Sequence, residues 1–148
     1  MANSKTLAVL IAEQNAGWGG WLDSLRAEAD EVAVVLQRQG ESPSALAMRV
    51  RACIEEKGRD SRLLAAALVG ADGFDSSTLG SRSLMIRTLV SEMVASGEGQ
   101  LFLDAGTSSG RGRFAMQALA SVVEDQIVDT GVNVMTVRGP QRTIRRAA

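Results

Sequence analysis

Five short runs of consecutive apolar residues punctuate the chain: Thr6 to Ala12 (TLAVLIA), Glu31 to Leu36 (EVAVVL), Arg62 to Val69 (RLLAAALV), Gln100 to Leu103 (QLFL) and Val132 to Val137 (VNVMTV). Runs of this length with little polar alternation suit strands covered on both faces of a sheet. The alanine-rich third run also fits a helix fragment, but its neighbours Asp60, Ser61 and Gly70 favour a strand. Between the runs the apolar spacing lengthens to three and four. Trp18, Trp21, Leu22, Leu25 and Ala29 fall on one helical face, and so do Leu46, Val50, Cys53 and Ile54 after a Ser42-Pro43 start. Ile86, Leu89, Val90, Met93 and Val94 mark a third helix closed by Gly97. Met116, Leu119, Val122, Val123 and Ile127 mark a fourth closed by Gly131. Strand and helix therefore alternate from end to end. This predicts one α/β domain of three layers, α/β/α, around a five-stranded, mostly parallel, Rossmann-like sheet.

Composition narrows the chemistry. The 148 residues are 45% hydrophobic and 22% charged, the profile of one globular domain long enough to bury a core without metal or disulfide. Cys53 is the only cysteine and there is no histidine, which excludes a disulfide framework, the common zinc sites and Ser/His or Cys/His catalysis. With 3% aromatics, no tyrosine and a net charge of -1, neither a base-stacking platform nor a broad basic face for nucleic acid is expected. The apolar run Leu7 to Ala12 is far shorter than the roughly twenty residues of a membrane span and lacks the flanks of a leader, so a cytoplasmic protein without a membrane partner is expected. Arg138, Arg142, Arg145 and Arg146 follow Val137 with no acid among them, leaving +4 on residues 138–148 and -5 on the rest. The division is thus a domain over 1–138 and a basic, solvated tail over 139–148.

Parallel sheets bind ligands beyond the carboxyl ends of their strands. Three stretches are expected there: Glu13-Gln14-Asn15, Gly70-Ala71-Asp72-Gly73 and Asp104 to Arg113 (DAGTSSGRGR). In the last, Gly106, Gly110 and Gly112 allow close approach of the backbone to a ligand. Thr107, Ser108 and Ser109 add hydroxyls, and Arg111 and Arg113 add charge at a helix start, a combination suited to phosphate. An ordinary strand-to-helix loop with solvated arginines is the alternative. The loop has neither the Gly-Lys-Ser/Thr ending of a P-loop nor the dinucleotide glycine spacing. Asp72, Asp75 and Asp104 have the chemistry to hold Mg2+, or to cap helices and close turns. Trp18 and Trp21 are expected on one helix face against the sheet, with stacking of Trp18 on a base as the alternative, and Cys53 is expected to be a buried, inert thiol.

The stretch GTSSGRGRFAMQALAS, from Gly106 to Ser121, resembles the Gly-x2-Gly-x9-Gly-Ser/Thr motif that ATP-binding members of the universal stress protein family carry after their fourth strand, with Gly110 and Ser121 in register. Residues 121–138 (SVVEDQIVDTGVNVMTVR) are similar to that family's last helix and edge strand. Ala120 stands in place of the third glycine and Ala12 in place of an acid after the first strand, with Glu13 one residue on. The resemblance implies a regulatory domain that binds an adenine nucleotide, ATP or AMP, at the carboxyl ends of the first and fourth strands, with Mg2+ as a companion of ATP. Glu13 and Gly70 would meet the nucleoside, the 106–113 loop the phosphates and Ser121 the outer phosphate. It also implies a homodimer paired through Val132 to Val137. Without histidine, any ATP hydrolysis would be slow. A nucleotide-free homodimeric interaction module of the same fold is the alternative.

Overall fold

The structure is a computed structural model, and it describes residues 5–13, 17–38, 40–58, 61–69, 79–104 and 117–140. The strands are β1 (Lys5–Glu13), β2 (Glu31–Gln37), β3 (Ser61–Val69), β4 (Glu98–Asp104) and β5 (Gly131–Val137). The helices are α1 (Gly19–Glu28), α2 (Pro43–Lys57), α3 (Leu79–Ser96), α4, whose described part is 117–122, and α5 (Glu124–Ile127). All five strands pair in parallel in the order β2-β1-β3-β4-β5. The α/β reading of the sequence therefore holds, with a sheet that is wholly parallel.

Strand parity sorts the core into two layers. Leu7, Val9, Ile11, Ala66, Leu68, Leu101 and Leu103 face one side, where Leu46, Val50 and Ile54 of α2, Ile86, Leu89 and Met93 of α3, and Leu119 of α4 meet them. Ala8, Leu10, Ala12, Ala65, Ala67 and Phe102 face the other, against Trp21 and Leu25 of α1. The alanines of β3 have a packing reason. Residues Leu63 to Val69 are all buried at the sheet centre, and the small residues of β1 and β3 leave room for the Trp21 indole, which lies 5.1 Å from Phe102 between ring centroids. Each large apolar side chain buried in this way contributes on the order of 1.5–3 kcal/mol.

Helix ends follow the sequence cues with one exception. Ser42 caps α2 by accepting the Ala45 N–H at 3.1 Å, with Pro43 in the first turn. Ser42→Ala should therefore lower stability by about 1 kcal/mol in urea unfolding, with an unchanged denaturant slope. Gly97 closes α3 in a left-handed conformation, donating its N–H to the carbonyls of Met93 and Val94. The last helical stretch was expected to run unbroken to Gly131. Instead it breaks at Val123, the left-handed residue is Asp129 (φ 61°), and Gly131 already belongs to β5. Gly131 is glycine for another reason: a Cβ there would stand 2.3 Å from the Gly97 carbonyl oxygen.

The two sheet edges differ. At β2, Arg49 donates to the Leu36 carbonyl at 3.0 Å while pairing with Glu41 at 2.7 Å, and Lys57 pairs with Glu31 at 2.6 Å. At β5 the sequence GVNVMTV carries no charge, no proline and no break in register against β4.

Candidate functional site

The chain leaves β1 towards β2 and returns to β3 on the opposite side of β1, so the winding direction reverses between β1 and β3. In open parallel sheets that reversal opens a crevice at the carboxyl ends of the strands. Glu13, Val69, Asp104 and Val137 are the last residues of β1, β3, β4 and β5 at this edge. The ends of β1 and β4, expected together, are separated by β3 and stand about 10 Å apart, two strand spacings.

Of the residues expected at the site, Glu13 closes β1 in register with Gln37. Gly70, Gly106, Ser108, Ser109, Gly110, Arg111, Gly112 and Arg113, together with Asp72 and Asp75, lie outside the described residues. Their flanks are fixed: Gly70 follows the last residue of β3, and Gly106 follows Asp104 by two. Ser121 is exposed on α4 and donates its hydroxyl to the Gln117 carbonyl at 3.2 Å.

The first turn of α1 points its amides at the same edge. Its first internal hydrogen bond runs from the Leu22 N–H to the Trp18 carbonyl, so the amides of Gly19, Gly20 and Trp21 have no partner inside the helix. Trp18 supplies no side-chain cap and no acid stands in the first turn. A Cβ at Gly17 or Gly19 would meet nothing within 4 Å. Such a helix start accepts an anion on backbone donors and the positive dipole end.

The buried charges gather at this edge too. Among the described residues, Arg82 and Asp104 are the charged side chains found buried, at 4% and 3% exposure. Arg82 lies in the first turns of α3, which enters from the β3 side, and Asp104 ends β4. Alternation along β4 turns Asp104 to the same face as Phe102, towards α1. There its Oδ2 accepts the Trp21 indole N–H at 2.6 Å and the Gly139 N–H at 3.1 Å. Gly139 is left-handed (φ 81°), and the next residue, Pro140, packs so close to α1 that a Cβ on Gly20 would lie 2.9 Å from its Cγ. One carboxylate thus ties β4, α1 and the segment after β5 together.

This clasp changes the reading of Asp104. Its Oδ2, already receiving two N–H donors, is not available to a hard cation. Among the described residues no group of three or more acidic or thiol side chains is placed to hold a metal. Trp21 is a core residue with its polar edge satisfied, and Trp18 packs partly buried against the same cluster. Cys53 is half-buried on α2, and burial pushes its thiol pKa up, opposite to what a nucleophile needs.

No family model matches the chain, and no curated protein matches it. Among solved structures, a short-chain dehydrogenase from Rhodopseudomonas palustris is similar over 93% of this chain and 87% of that one, with a TM-score of 0.58 and 15% identity. The likeness is one of fold, a helix-covered parallel sheet. No helix among the described residues is long and apolar enough to cross a membrane.

Proposed function

We propose that the chain is a regulatory domain of the universal stress protein type that binds an adenine nucleotide, ATP or AMP, at the carboxyl edge of its sheet. The observation that carries this reading is the glycine-lined start of α1 at the carboxyl edge of the sheet, where Trp18 supplies no side-chain cap and a Cβ at Gly17 or Gly19 would meet nothing within 4 Å. The loop bearing Gly106, Gly110, Gly112, Arg111 and Arg113 departs from the same edge, immediately beyond β4. Phosphates would lie on the α1 amides and the 106–113 loop, with Glu13 and Gly70 beside the nucleoside and Ser121 at the outer phosphate. The chain's own groups bind and orient. With no histidine in the sequence and Asp104 held by its two donors, neither supplies a general base.

The reading extends to a homodimer through Val132 to Val137, supported by the uncharged edge of β5 beside the side-chain-covered edge of β2. The same edge favours a second reading, a nucleotide-free interaction module.

A thermal shift series separates the two. ATP, ADP, AMP, cyclic nucleotides and a nicotinamide dinucleotide are added with and without Mg2+. A ligand at a hundred times its Kd should stabilise the fold by about 2.7 kcal/mol, a rise of roughly 5–10 °C in Tm. Gly110→Val should remove that rise while leaving the ligand-free Tm unchanged. Flat melting curves with every nucleotide would leave the interaction module standing.

A further inference from the structure

The outer face of α2 and α3 carries a pattern that the nucleotide reading does not use. Both helices follow parallel strands, pack side by side on one face of the sheet and run in the same direction. Arg51 and Glu55 of α2 line one groove with Arg87 and Glu92 of α3. Three residues before each arginine stands a large apolar side chain that is mostly in solvent, Met48 at 73% exposure and Leu84 at 64%. Three residues after each glutamate stands an exposed small residue, Gly58 or Ala95. At Gly58 a side chain has no place, since a Cβ would lie 2.6 Å from the Ile54 carbonyl oxygen.

The surface is therefore ordered along the helix axes as apolar, basic, acidic and small rows, spanning about 15 Å from Met48 to Gly58 at 1.5 Å per residue. The spacing of the rows is the same read from either end. Turned through a twofold axis between the basic and acidic rows, the face meets itself with opposite character in every row. Arginines lie against glutamates, and Met48 and Leu84 lie over the flat small row. A parallel arrangement would set arginine against arginine. The local Arg51–Glu55 pair, at 3.4 Å and well exposed, is the kind of helix pair worth only a few tenths of a kcal/mol, so it can yield to a partner's charges.

We propose that this face docks against a second copy of the chain, antiparallel and twofold, with Met48 and Leu84 as the apolar anchors. Isologous contact requires such self-complementarity. Two helix faces of three to four turns make a small interface, so the association is of the weak, concentration-dependent class.

Sedimentation of the full chain up to about 1 mM, the weak end of measurable affinities, tests it. With the β5 edge blocked by Thr136→Lys, the chain should still dimerise with rising concentration, and the further variants are made in that background. Arg51→Glu/Arg87→Glu and Glu55→Arg/Glu92→Arg should each sediment as monomers, with melting temperatures near wild type because all four side chains are exposed. Their equimolar mixture should recover the dimer. Met48→Lys/Leu84→Lys should also be monomeric, independently of the charge changes. A Thr136→Lys chain that stays monomeric, or failure of the mixture to reassociate, overturns the proposal. So does a dimer that survives both charge reversals. None of these results bears on the nucleotide-induced rise in Tm, so this face and the nucleotide site stand or fall separately.

Discussion

Asp104→Ala should cost roughly 2–5 kcal/mol, because it takes the acceptor from the buried Trp21 indole N–H and from the half-buried Gly139 N–H. In urea the midpoint should fall accordingly, and the indole N–H of Trp21 should lose protection against hydrogen exchange. Asp104→Asn is the informative companion. Its amide oxygen can still accept, so the loss should be near 1 kcal/mol, the difference between a charged and a neutral acceptor. The two variants together distinguish a need for an acceptor from a need for a charge. Equal stability of Asp104→Ala and wild type would mean that the clasp between β4, α1 and the chain after β5 holds nothing.

Gly131→Val should be similarly severe for a different reason. The added Cβ would sit 2.3 Å from the Gly97 carbonyl oxygen and 3.3 Å from the Glu98 Cα, both backbone atoms at the start of the neighbouring strand. Gly97 is left-handed where it closes α3, so that backbone has little room to retreat. Overpacking ordinarily costs about 1–3 kcal/mol and exceeds that where no side chain can move aside. About 3 kcal/mol, or roughly 6–12 °C in Tm, is expected. Gly19→Ala is the control: a Cβ there meets nothing within 4 Å, and a change within about 0.5 kcal/mol is expected. A Gly131→Val chain melting like wild type would mean that β4 and β5 do not start in this register.

Both effects rest on contacts between distant parts of the chain, and this is where the sequence stops being informative. Alternating five apolar runs with four helical periods was enough for the layers and the parallel sheet, because each signal is local and strong. Even the alanine-rich β3 was legible from its flanks. The strand order was not. All five runs are similar in length and apolarity, so nothing in them states that β3 stands between β1 and β4. At Gly131 the glycine was read as a helix stop, whereas the nearby turn uses Asp129 and the glycine serves strand packing.

The site divides in the same way. Its location at the carboxyl ends of the strands follows from parallel topology, and the glycine, hydroxyl and arginine cluster is plain in the residues from Gly106 to Arg113. Asp104, by contrast, was grouped with Asp72 and Asp75 as a residue able to hold Mg2+ or to cap helices and close turns. Its true partner, Trp21, is 83 residues away. The signal was available in principle: Phe102 and Asp104 share a strand face, and a buried tryptophan needs an acceptor for its N–H. Choosing that acceptor required knowing that the Trp21 side chain reaches from α1 to the end of β4.

The most direct measurement of the nucleotide reading is a titration of the isotopically labelled chain with ATP, followed residue by residue through its backbone amides. The account predicts saturable shifts at Gly17, Gly19 and Gly20, at the amides of residues 106–113, and at the Trp21 indole N–H, with the outer face of α2 and α3 unmoved. Amides that stay in place at these positions under millimolar ATP would contradict it.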